Sequence, residues 1–117
     1  MMICMILVIM RMKVLPEKRL ELSQVIASLA VSIRTTKGCR ICDFCQSFEN
    51  ENELCLIEEW DTLENFKTHL KSPLFKVLRG ALHLLEEPSE AMFHTILHSE
   101  RIMAGVNERI RSAEKVL

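Results

Sequence analysis

Glycine is scarce in this 117-residue chain, with only Gly38, Gly80 and Gly105. A phosphate-cradling loop needs several glycines within a few residues, so nucleotide-dependent chemistry of that kind is excluded. No serine or cysteine stands in a nucleophile-elbow setting, which removes the common hydrolase reading. An excess of one charge is also lacking: 15 Lys and Arg stand against 16 Asp and Glu, for a net charge of −1. Such a chain projects no long-range field, and neither nucleic acid nor an anionic membrane is expected as a partner. The apolar opening, residues 1–10, is closed by Arg11 and Lys13. That is half of the roughly 20 residues a membrane-spanning helix requires. It also has no basic residue before it and no small-residue cleavage site after it, so a buried strand is expected in place of a signal peptide. Tyrosine is absent and Trp60 is the single tryptophan.

What is present is apolar bulk, 49% of the residues, and five cysteines, an odd number. Without an export signal these are expected to be reduced thiols in a cytoplasmic protein. The length suits one core, and the reading divides the chain into one domain over 1–98 and an extension over 99–117.

The first strand is expected over 3–14, and its first half has no polar alternation, which implies cover on both faces. Pro16 fits the first turn of a helix in which Leu22, Val25, Ile26, Leu29, Ala30 and Ile33 recur at helical spacing. Gly38 is its left-handed stop. A strand over 39–48 places Cys39, Ile41, Asp43 and Cys45 on one face and Arg40, Cys42, Phe44 and Gln46 on the other. The polar run 49–53 makes a hairpin into a strand over 54–60. Asp61 and Glu64 form a capping box for a helix whose inner face is Leu63, Phe66 and Leu70. Ser72-Pro73 breaks that helix and caps another bearing Leu74, Val77, Leu78, Ala81, Leu82 and Leu85, and a last strand is expected over 91–98. Ile102, Met103, Val106, Ile110 and Leu117 make the tail an amphipathic helix.

This order predicts an α+β, ferredoxin-like βαββαβ fold: a four-stranded antiparallel sheet, helices on one face, the second helix split, and an extra C-terminal helix. The face away from the helices is apolar too, so a second copy of the chain is the expected cover and a homodimer the expected state, with a monomer whose tail helix folds back over the sheet as the competing explanation.

Two motifs invite a metal. Cys39-x-x-Cys42-x-x-Cys45 resembles part of an iron–sulfur ligand run, but position 49 is Glu where a fourth cysteine would stand. On a strand, Cys39 and Cys45 would lie about 20 Å apart with Cys42 on the opposite face. Small buried hydrophobes are the better reading. His94 and His98, on a strand, stand about 13 Å apart, and no metal site is expected.

Lys37-Gly38-Cys39, Glu58-Glu59-Trp60 and His69-Leu70-Lys71-Ser72-Pro73-Leu74-Phe75, in this order and spacing, resemble the antibiotic biosynthesis monooxygenase domain family over residues 3–97. The family's members are dimeric α/β barrels, among them cofactor-free oxygenases of quinols and polyketides. The resemblance implies Trp60 and Arg79 at the positions of a catalytic Trp and Arg, with Leu56 and Phe66 where polyketide-oxidising members carry Asn and Tyr. The positions used for heme are Met10, His69 and Arg79 here, and none matches. Within the common His-Leu-x-Ser-Pro pattern, His69 has two readings: a general base toward a phenol or hydroquinone, or a packing residue that caps a carbonyl. The resemblance thus implies a cofactor-independent monooxygenase that acts on a small hydrophobic aromatic or quinol-type substrate. His69, Arg79 and Trp60 would be catalytic, and Leu56, Phe66 and Phe75 would line the pocket. The alternatives are a non-catalytic ligand-binding or stress-response module on the same scaffold, and a redox sensor using Cys39, Cys42 or Cys45.

Overall fold

The computed structural model of the protein describes residues 5–85, 87 and 90–97. The elements run β1 (Met5–Lys13), α1 (Arg19–Arg34), β2 (Cys39–Gln46), β3 (Glu53–Trp60), α2 (Leu63–Leu70), α3 (Pro73–Ala81) and β4 (Glu90–Ile96), with short 3-10 turns at Pro16–Lys18 and Leu82–Leu84. The strands form one antiparallel sheet in the order β2-β3-β1-β4, which is the expected ferredoxin-like arrangement. The tail over 99–117 and His98 lie outside the described residues.

Alternation along β1 and β3 builds the core. Ile6, Val8, Met10 and Met12 from β1 and Leu54, Leu56, Glu58 and Trp60 from β3 are buried under the helices. Helix α1 adds Leu22, Ile26, Leu29, Ala30 and Ile33, the stripe its spacing predicts. Each such side chain contributes about 1.5–3 kcal/mol by leaving water. At Gly38 the backbone is left-handed, with φ +88°, and an added Cβ would stand 2.5 Å from the Asn65 Cβ. The glycine is therefore required by both torsion and space. Its carbonyl accepts the Asp61 N–H at 2.8 Å, which joins the start of β2 to the end of β3.

Three local expectations are corrected. A bulge between Cys39 and Ile41 shifts the register of β2, so Cys39 pairs with Trp60 and Cys42 with Glu58. Cys39 and Cys42 therefore share the helix-covered face, and Cys45 faces the other way. One extra residue in a strand reverses every face assignment beyond it. The cap of α2 is Thr62, not Asp61: its hydroxyl accepts the Asn65 N–H at 3.1 Å, while the Asp61 carboxylate takes the Asn65 side-chain amide at 2.9 Å. Helix α2 is also turned by roughly 60° from the expected orientation. Phe66 and His69 point inward, while Leu63 and Leu70 are 39% and 38% exposed. The ring of Trp60 takes His69 against it, and that contact outweighs two leucines at the margin.

The opposite face carries Leu7, Ile9, Ile41, Ile57, Met92 and Ile96 across all four strands, with Arg11, Asp43, Glu59 and His94 among them. None of these residues is buried within one chain.

Candidate functional site

The site begins at the end of β3. Period-two alternation turns Glu58 and Trp60 to the same side as Leu54 and Leu56, beneath the helices. The indole N–H of Trp60 donates to Glu58 Oε1 at 2.8 Å, which gives each buried polar group a partner. Burial pushes the Glu58 carboxyl above its ordinary value, an effect the indole hydrogen bond partly opposes.

His69 lies flat on Trp60, with ring centroids 4.6 Å apart and planes 26° from parallel. The chain break after α2 holds it there. Ser72 sends its hydroxyl to the His69 carbonyl at 2.6 Å and its own N–H to the same oxygen at 2.9 Å. The hydroxyl oxygen also accepts the Phe75 N–H, so one serine both pins His69 and caps α3. Phe75 then meets His69 edge-on at 5.5 Å, and Phe66 packs against Trp60 at 6.2 Å and against Phe93 at 5.4 Å.

The His69 ring is 1% exposed. Among the described residues, its two nitrogens are the only buried side-chain nitrogen or oxygen atoms without a hydrogen-bond partner, so the ring caps no carbonyl among them. A buried group left unpaired costs about 1–3 kcal/mol, and a ligand hydroxyl placed there removes that cost. Burial also lowers the pKa of His69, which keeps the imidazole neutral and able to accept a proton.

The structure thus gathers Trp60, Phe66, His69 and Phe75 into one aromatic cluster. Arg79 reaches it only from outside: the residue is exposed on α3, with its guanidinium carbon 5.8 Å above the Phe75 ring. Leu56 shares the face of Trp60 but stands four residues up β3, about 13 Å along the strand, between Phe44 and Met10 in the core. Sequence reasoning missed two members, Glu58 and Phe93. The alternation of β3 carried the signal for Glu58, because an acid sharing a face with Leu54, Leu56 and Trp60 has to be buried.

Glu58, Trp60, Phe66, His69 and Phe75 thus form a buried aromatic cluster with an unpaired imidazole and a neighbouring acid, on the helix-covered side of a ferredoxin-like sheet. The chain belongs to the antibiotic biosynthesis monooxygenase family, which matches residues 5–81. A conserved protein of Methanosarcina mazei is 28% identical, with a TM-score of 0.73 over 80% of this chain and 92% of that one. A Mycobacterium tuberculosis protein is 25% identical, with a TM-score of 0.75 over 81% and 97%. A candidate antibiotic biosynthesis monooxygenase from Deinococcus radiodurans shares the fold at a TM-score of 0.77, with 19% identity over 85% and 99%. No curated protein matches the chain by sequence at a significant level. Among the described residues no helix is long and apolar enough to cross a membrane.

Proposed function

We propose that the protein is a cofactor-independent monooxygenase of a small aromatic or quinol-type substrate, with His69 as general base. The observation that carries this reading is the fully buried His69 ring, neutral and unpaired at both nitrogens, stacked on Trp60. A phenolic hydroxyl set against the free acceptor nitrogen gives up its proton there, and the resulting anion is electron-rich enough to reduce oxygen itself. For a hydroquinone, one molecule of substrate and one of dioxygen give one hydroxyquinone and one water. One oxygen atom enters the ring, the other leaves as water, and all four electrons come from the substrate. Trp60, Phe66 and Phe75 supply the apolar wall that keeps bulk water from the anion. Arg79 lies outside this wall, so its fixed charge acts through Phe75 and at the entrance, not on the proton transfer.

The test is oxygen consumption by metal-stripped protein over a panel of hydroquinones and polycyclic phenols. Activity is expected to rise with pH through the His69 titration, and His69→Ala is expected to lose roughly 10²–10⁴ in rate while it remains folded. Activity retained in His69→Ala would remove the base. Binding of panel members with no oxygen uptake would make the protein a ligand-binding module.

The same reading includes a homodimer formed through the open face. Leu7, Ile9, Ile41, Ile57, Met92 and Ile96 form an apolar field that the described residues of one chain leave without cover. A second copy, sheet against sheet, removes it from water.

A further inference from the structure

Among the described residues the cysteines divide into two groups that the sequence motif does not show. Cys39 and Cys42 point under the helices, where burial and the neighbouring Glu58 push their thiols up to about 11 and about 12. Thiols this resistant to ionisation react slowly with oxidants. Cys45 stands on the open face, and its partner lies outside the motif: the β2–β3 register sets it directly opposite Cys55. The next row on β1 holds Arg11, which pairs with Cys55. Cys45 is exposed and Cys55 half-buried, and both are free thiols.

The Ser47 N–H donates to the Glu53 carbonyl two rows away, which makes Cys45 and Cys55 a hydrogen-bonded pair, with Cα atoms about 5.5 Å apart and both side chains on the same face. A disulfide needs about 4.4–6.8 Å between Cα atoms. We infer that Cys45 and Cys55 form a reversible intrachain disulfide across β2 and β3 when the protein meets hydrogen peroxide. The exposed Cys45 thiolate attacks one peroxide oxygen, breaking the O–O bond and giving Cys45 sulfenic acid and hydroxide. The Cys55 thiolate then attacks that sulfur, forming the S–S bond and releasing the oxygen as a second hydroxide. With the two thiol protons, the products are one disulfide and two waters. Each sulfur is oxidised by one electron equivalent, and peroxide takes both. Arg11 favours the Cys55 thiolate that the second step needs, against the burial that raises its pKa. The bond would tie β2 to β3 on the face proposed above for self-association; Cys45 is exposed within one chain, so peroxide reaches it in the dissociated protomer, acts on the rigidity of that face and leaves the aromatic cluster on the other side untouched.

The experiment treats the reduced full-length chain with hydrogen peroxide, alkylates the remaining thiols and maps peptides without reduction. The expected result is loss of two of the five thiols, a mass lower by two hydrogens, and a Cys45–Cys55 cross-link within one chain that dithiothreitol reverses. Cys45→Ser and Cys55→Ser should each abolish the cross-link, and Cys39→Ser should retain it. Any of four results overturns the proposal: no Cys45–Cys55 link, a link between Cys39 and Cys42, Cys45 bridged between two chains, or Cys45 oxidised to sulfinic acid with Cys55 still a thiol.

Discussion

The two faces of the sheet come from the same strands by the same alternation, yet they differ in kind. The centre of the helix-covered face is closed within one chain, and Glu58 is the only polar group among its buried strand residues described, with His69 set upon it from α2. The other face is apolar at its centre but has nothing over it among the described residues. In a closed core a polar group without a partner works against folding: Glu58 has the Trp60 indole, whereas His69 has no partner among the described residues. On the open face the apolar residues are the anomaly, because alone they gain little from remaining in water. In the reading proposed above, one face serves chemistry and the other a partner.

The sharpest way to test this contrast is to change two residues of β3 that look in opposite directions. Trp60→Ala, on the closed face, removes the platform of His69 and the partner of Glu58, and should cost about 3–5 kcal/mol in urea unfolding. Ile57→Lys, on the open face, should leave the fold intact and act on assembly. Light scattering should then give 13.5 kDa for the variant, where the wild-type chain is expected to give about twice that mass. A wild-type monomer would show that the open face needs no copy of itself.

A smaller effect comes from pH. His69 is harder to protonate in the fold than its ordinary 6.5. Its stability contribution is fully present above pH 6.5 and is lost as pH falls toward the lowered folded value, because the unfolded chain takes a proton that the folded chain refuses. Glu58 acts in the opposite sense: with its carboxyl raised from 4.5, its contribution is present below pH 4.5 and is lost as pH rises through the folded value. Urea midpoints across about pH 4–8 should show the acid-side loss below the ordinary histidine value shrink in His69→Phe and the opposing slope shrink in Glu58→Gln. Unchanged slopes in both variants would mean that these groups titrate as they do in water.

Much of this is legible in the sequence. Trp60, Phe66, His69 and Phe75 come together in the sequence through the family resemblance, and the structure packs them together. Leu56 joins them through the same resemblance, but its position lies rows away in the core. Arg79 meets the cluster only through Phe75, because α3 turns it to solvent. Phe93 could not be assigned from its strand, since its place beside Phe66 depends on where β4 joins the sheet.

By itself the sequence determined the order of the elements, the buried stripe of α1, the left-handed stop at Gly38 and the serine break between α2 and α3. Each of these is a local matter, set by torsion, capping or a periodicity that a few neighbouring residues carry. Only the tertiary structure decided which face Cys39 and Cys42 share, how far α2 rotates, and that Cys45 stands opposite Cys55. Those are relations between segments distant in the chain. A single bulge reverses the faces beyond it, and a short helix turns to suit whatever ring it packs against, so neither outcome is present in the pattern of either segment alone.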